Sequence, residues 1–292
     1  MDLSEEILRS SDVVKYAQAK YFIDKGETGD LYGPFIWTST NQKCILKHTG
    51  CACYRFSAKD FDYIKEKRFL RLSHQNVLTI LDAFIITNSN GRFISDIVAE
   101  YAEGKSLINV LRLKDDLNDY HPDLLKTPLD ANVTRNWLLQ IAKGFEYLHA
   151  NDIVPEVLTS HYVLLMQSIG ILPNVLKINI FPEGKPRASR TICGTTKHKF
   201  AWLAPEQCRG IVNKKSHVWN YGVMIWEMQS RQDPQMGEKF GDVISRITSR
   251  YSSRLNIEKT WSYIFKELFK SCCSFETDDR PTFSDIIRTL TS

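Results

Sequence analysis

The chain lacks the marks of secretion, membrane insertion and nucleic-acid binding. It has no long apolar run, so no segment is expected to span a bilayer. Met1 is followed by the acidic Asp2-Leu3-Ser4-Glu5-Glu6, which is no secretory leader. The seven cysteines have no zinc spacing, and Cys51-Ala52-Cys53 and Cys272-Cys273 stand too close to pair easily. Reduced thiols in a cytoplasmic chain are therefore expected. A formal net charge of +4 is too mild to argue for a nucleic-acid partner. Internal repeats and low-complexity stretches are missing too. What remains is 292 residues, 43% hydrophobic and 25% charged, enough to bury a core without disulfides.

Hydrophobic periodicity changes along the chain. Residues 16 to about 50 alternate β-branched and aromatic residues with Gly-Glu-Thr-Gly and Thr-Ser-Thr-Asn turns, a hairpin pattern. Phe61, Ile64, Phe69 and Leu72 predict an amphipathic helix, and residues 84–101 return to strands around a Thr-Asn-Ser-Asn-Gly turn. From Val133 onward Trp137, Ile141, Phe145 and Leu148 fall on one helical face. The polar stretch 114–128 reads as a surface insert.

Motifs then appear in a fixed order. Lys25-Gly26-Glu27-Thr28-Gly29-Asp30-Leu31-Tyr32 looks like a glycine-rich loop, Cys44-Ile45-Leu46-Lys47 like a strand ending in a phosphate-binding lysine, and Ile97-Val98-Ala99-Glu100-Tyr101 like a hinge. Trp202-Leu203-Ala204-Pro205-Glu206, the run Val218 to Glu227 and Asp279-Arg280-Pro281 follow. Taken together, in this order and spacing, the chain resembles the protein kinase superfamily, in wording closest to tyrosine kinases and their tyrosine-kinase-like relatives. The resemblance implies an α+β, bilobal fold: an N-terminal extension over 1–15, an N-lobe of antiparallel sheet with one main helix over 16–101, and a mostly helical C-lobe over 102–292. The insert at 114–128 is a feature shared with receptor tyrosine kinases.

Against the family's catalytic loop, His-Arg-Asp-Leu-x-x-x-Asn, this chain reads Pro155-Glu156-Val157-Leu158-Thr159-Ser160-His161-Tyr162. Valine accepts no proton, and tyrosine is a poor substitute for a metal-binding amide. Where the family carries Asp-Phe-Gly the chain has Ile180-Phe181-Pro182, and Ile180 offers magnesium no oxygen. Asp24 takes the place of the first loop glycine, leaving Gly26 and Gly29. Ile45 stands where the family usually has alanine against adenine, and Ala99 is the gatekeeper. The implied nucleotide pocket, in vestigial form, is Gly26, Gly29, Lys47, Glu66, Ala99, Glu100 and Tyr101. The glutamate partner of Lys47 is left between two registers: counting back from His74 reaches Lys65, and a one-residue shortening reaches Glu66.

The resemblance also implies that Glu206 and Arg280 brace the C-lobe as a buried ion pair, and that an aspartate holding the catalytic-loop backbone has become His217. Residues 180–206 contain no tyrosine but carry Lys185, Arg187, Arg190, Lys197 and Lys199, a basic face for an acidic partner. The expected function is a catalytically inactive pseudokinase, a scaffold or allosteric partner of an active kinase or receptor. It would bind ATP weakly or not at all, take no magnesium, and be cytoplasmic or the cytoplasmic part of a membrane receptor. Two alternatives remain: a metal-independent nucleotide sensor, and an atypical protein kinase recruiting Lys47 with Glu156 or Asp152.

Overall fold

A computed structural model describes residues 7–8, 22–26, 29–49, 54–55, 68–87, 93–112, 128–155, 157–168, 172–180, 185–186, 199–235, 237–249 and 255–292. Two compact units divide the chain, one of residues 1–101 with 180–189, the other of 102–179 with 190–292.

The first unit is built on a sheet. Strands β1 (Ile7–Leu8), β2 (Phe22–Gly26), β3 (Gly29–Trp37), β4 (Gln42–Thr49), β6 (Ile80–Thr87) and β7 (Phe93–Glu100) run in the order β1-β3-β4-β7-β6, with β2 also on β3. The pairings are antiparallel except β1 on β3. Between β4 and β6 the short β5 (Tyr54–Arg55) pairs antiparallel with β10 (Lys185–Pro186). Asn41 closes the β3–β4 hairpin at φ 54°, a left-handed conformation that asparagine tolerates, and donates its N–H to Trp37 O at 2.8 Å.

Tyr32, Phe35, Trp37, Cys44, Leu46 and Val98 form the core of this sheet. Strict alternation would place Tyr32 and Phe35 on opposite faces. The register of β3 slips between them, at Gly33 (φ 133°) and Pro34, and the slip returns both rings to one side. Of the helix expected around residues 61–72, residues 61–67 lie outside the described residues, and Arg68–Arg71 form a 3-10 turn.

The second unit is helical: α1 (Leu107–Leu111), α2 (Ala131–Ala150), α3 (Lys214–Ser230), α4 (Phe240–Thr248), α5 (Tyr263–Cys272) and α6 (Phe283–Thr291), with a small hairpin of β8 (Val163–Leu165) and β9 (Leu176–Ile178). Asp130 caps α2 by accepting from the N–H groups of Asn132 and Val133, and Trp137, Leu138, Ile141, Phe145 and Leu148 form its buried face. The central helix α3 is buried from Ser216 to Ser230 and opens with a reciprocal cap between Asn213 and Ser216. Phe283 of α6 stacks on Phe145 of α2, ring centres 4.6 Å apart.

The expected α+β class therefore holds, with sheet in the first unit and helices in the second. Among the described residues no helix is long and apolar enough to cross a membrane.

Candidate functional site

In the first unit the sheet register sets the residues singled out from sequence side by side. On β4 and β7, Ile45 pairs with Ala99, Cys44 with Glu100 and Lys47 with Ile97, and Lys47 also faces Leu31 of β3. Lys47 is 5% exposed, unusual for an ammonium. Glu100 and Tyr101 lead out of β7 under several hydrogen bonds. The Thr79 N–H donates to Glu100 Oε1 at 2.6 Å, Glu100 N–H to Thr79 O, and Tyr101 N–H to Lys43 O. Gly26 and Gly29 pair across the β2–β3 hairpin. Glu66, Lys65, Glu156, Phe181 and Pro182 lie outside the described residues.

In the second unit the segment after α2 is pinned at intervals. Val157 and Leu158 are buried, the Thr159 hydroxyl accepts from His161 N–H, and Ser160–Tyr162 make a 3-10 turn leading into β8. Asn179 N–H donates to Tyr162 O at 2.7 Å. The Ser160 hydroxyl donates to Glu227 Oε1 at 3.0 Å, and the Trp202 indole N–H to Glu227 Oε2 at 2.7 Å. Burial pushes the Glu227 carboxyl up to about 8, against the pull of those two donors and of Arg112. Asp152, at φ 55°, is exposed and lies 3.2 Å from the Lys214 ammonium.

Lys199 corrects one expectation. Grouped from sequence with the exposed basic residues, it is only 4% exposed. Its ammonium donates to the Tyr162 hydroxyl and lies 4.1 Å from the centre of that ring.

Glu206 and Arg280 are joined through both guanidinium ends, at 2.6 and 2.9 Å, and the Ser216 hydroxyl adds a third donor to Glu206 at 2.7 Å. Burial works upward on the Glu206 carboxyl, but the hydrogen bonds from Arg280 and Ser216 and the arginine charge prevail and hold it below the usual carboxylate range. His217, wholly buried, places Nε2 2.7 Å from Pro155 O and Nδ1 2.8 Å from His149 Nε2. Sequence reasoning missed His149, Lys199 and Glu227 as members of this cluster. The one available signal was His217 in the place of an aspartate.

Whether a divalent cation suits the family's metal positions is a matter of donor chemistry. Ile180 is buried hydrocarbon, and the hydroxyl of Tyr162 already faces the Lys199 ammonium. Magnesium requires hard oxygen ligands. These two positions do not fit it.

Comparison with known proteins adds an independent line. The sequence model of a family described as protein tyrosine and serine/threonine kinase matches residues 19–290. Mitogen-activated protein kinase kinase kinase 10 of Xenopus laevis is 28% identical over 211 residues, 67% of this chain and 19% of that protein. Mitogen-activated protein kinase kinase kinase 11 of Homo sapiens is 29% identical over 237 residues, 76% of this chain and 25% of its own length. The Drosophila melanogaster mitogen-activated protein kinase kinase kinase is 29% identical over 241 residues, 77% of this chain and 18% of its own. The chain thus spans about a fifth to a quarter of the length of these relatives.

These names overturn three expectations. The relatives are named as kinases, which contradicts both a non-enzymatic scaffold and the denial of enzyme status. The expectation of weak or absent ATP binding and no magnesium falls with them, because protein kinases work with both. The family match spans residues 19–290, a range that includes the altered positions Pro155, Val157, Tyr162 and Ile180, so a substitution at a motif position does not by itself remove the chain from a family of enzymes.

Proposed function

We propose that this chain, which belongs to the protein tyrosine and serine/threonine kinase family, is a protein kinase domain of atypical make-up. It would transfer phosphate to a protein substrate within a cascade of the kind its relatives are named for. The supporting observation is the family match across residues 19–290 together with Lys47 held, almost fully buried, on an inner strand of the sheet.

In this reading Lys47 takes the phosphates of the nucleotide, as the strand lysine of kinases does, and Ala99, Glu100 and Tyr101 border its base. ATP would supply the transferable phosphoryl group. The chain's own contribution is to orient that group and the substrate. Val157, Tyr162 and Ile180 define what is atypical: the proton of the attacking hydroxyl and the cation must be managed from other positions. Glu206–Arg280 and the Glu227 cluster keep the second unit's loops in register for the protein substrate.

The test is transfer of labelled γ-phosphate from ATP, with magnesium or manganese, to a mitogen-activated protein kinase kinase. Transfer by the unaltered chain that disappears in Lys47→Met is expected. Absence of Lys47-dependent transfer with either metal would sink the proposal.

A further inference from the structure

From the hydrogen-bond geometry around α3 we infer that His217 is a positioning residue, bracing the loop at residues 155–162 by donating a hydrogen bond to the Pro155 carbonyl, with His149 fixing its tautomer. This assignment rests on the reading of that loop as the catalytic loop of a kinase domain.

The direction of each hydrogen bond follows from the acceptor at the end of the row. A carbonyl oxygen can only accept, so at 2.7 Å from Pro155 O the Nε2 of His217 must carry the proton. In the neutral ring Nδ1 then holds a lone pair. His149 Nε2, 2.8 Å away, must be the N–H that fills it. Both bonds therefore point one way: His149 Nε2–H to His217 Nδ1, and His217 Nε2–H to Pro155 O.

The surroundings favour neutral rings. Phe145 lies tilted 5.5 Å from His217, and Phe283 meets His149 edge-on at 5.3 Å. The two imidazoles lie at a shallow angle to one another, 5.0 Å between centres. Lys214 adds a fixed positive charge by donating to His149 O at 2.7 Å and to Asp152 Oδ1. Burial, first, and then the charges of His217 and Lys214 push His149 down to about 3. Burial pushes His217 down to about 4, although its bond to Pro155 acts the other way.

The partner residue explains the side chain. Proline has no N–H to offer, so the backbone at 155 presents only an acceptor toward α3. A carboxylate at position 217 would face that carbonyl acceptor against acceptor. A neutral imidazole with its proton on Nε2 supplies the missing donor. Ten residues further along α3, about 15 Å by helical rise, Glu227 takes the Ser160 hydroxyl. One rigid helix thus holds both ends of the segment 155–160.

Two measurements test the assignment without using nucleotide, so they stand apart from the phosphotransfer test. The first is the histidine nitrogen–proton correlation spectrum of the unaltered protein at pH 7. Both His149 and His217 should be neutral with the proton on Nε2; a His217 carrying its proton on Nδ1, or charged, overturns the inference. The second is amide hydrogen exchange in residues 157–162 of His217→Asp and His217→Gln. Losing the donor and leaving a buried carbonyl unpaired should speed exchange about tenfold or more in the aspartate variant, and glutamine, which keeps an N–H, should restore most of the protection. Equal acceleration in both variants, or none in either, overturns it. If His217→Asp does not fold, the tautomers of the unaltered protein decide.

Discussion

At the scale of single residues, the clearest commitment is the Glu206–Arg280 pair, with Arg280 1% exposed. Removing one partner strands a buried charge. Arg280→Met is expected to cost about 3–5 kcal/mol of unfolding free energy in urea. Arg280→Met combined with Glu206→Leu should recover a large part of it, and a double variant as unstable as the single would argue against a buried-charge origin. The sign with pH follows from the low position of Glu206. Its folded-state value lies below the unfolded one, so its contribution is present above the unfolded value and disappears as pH falls through the folded one. His217 shows the limit of reading residues singly. Its sequence marks a missing aspartate, and only the geometry reveals that the group opposite is a proline carbonyl. The sequence names both residues but does not say that they meet.

At the scale of elements, α2 was legible because one face is buried and the other is not. Trp137, Ile141, Phe145 and Leu148 recur at helical spacing. The central helix α3 gives no such signal, because every residue from Ser216 to Ser230 is buried and no stripe distinguishes one face. The slip in β3 was equally silent, since a bulge is visible only once Tyr32 and Phe35 are known to share a core. The packing of α3 on α5 makes a sharp prediction. A Cβ on Gly222 would lie 2.5 Å from Cys273 Sγ and 2.9 Å from Cys272 Cβ. Gly222→Ala should therefore destabilise by roughly 1–3 kcal/mol through overpacking, despite alanine's better helix propensity. Chemical denaturation checks this, and an unchanged or raised midpoint would mean that α5 can retreat freely. At the helix start, Asn213→Ala should cost about 1 kcal/mol. Ser216→Ala should cost more, because that hydroxyl also serves Glu206.

At the scale of the whole molecule, the buried titrating groups act in opposite directions. His149 and His217 favour the neutral form in the folded state. The stability they supply is present above their ordinary value near 6.5 and is lost as pH falls through about 4 and about 3. Glu227 favours its protonated form; its contribution is present below its ordinary value of 4.5 and is lost as pH rises through about 8. Two histidines outweigh one carboxyl on the acid side. The melting temperature should therefore climb as pH rises toward 6.5 and fall from there to 8, and Glu227→Gln should flatten the alkaline fall. A melting temperature that keeps rising to pH 8 would contradict this balance. Thiol chemistry supplies the last prediction. Burial raises Cys44 to about 12, and burial, then the neighbouring Cys273, raises Cys272 well above the ordinary range. Alkylation of the folded protein at pH 8 should leave both unmodified, and rapid labelling of either would show the core to be open. The tight seam at Gly222 carries this into time. Cys272 is 0% exposed, its Cβ set against Gly222, so peroxide should reach its sulfur in molecules whose α3 and α5 have come apart. A polar, enlarged sulfur fits poorly back into that seam, and the fraction carrying the mark should grow with each opening. In an aged sample, the oxidation of Cys272 becomes a record of how often the second unit has opened.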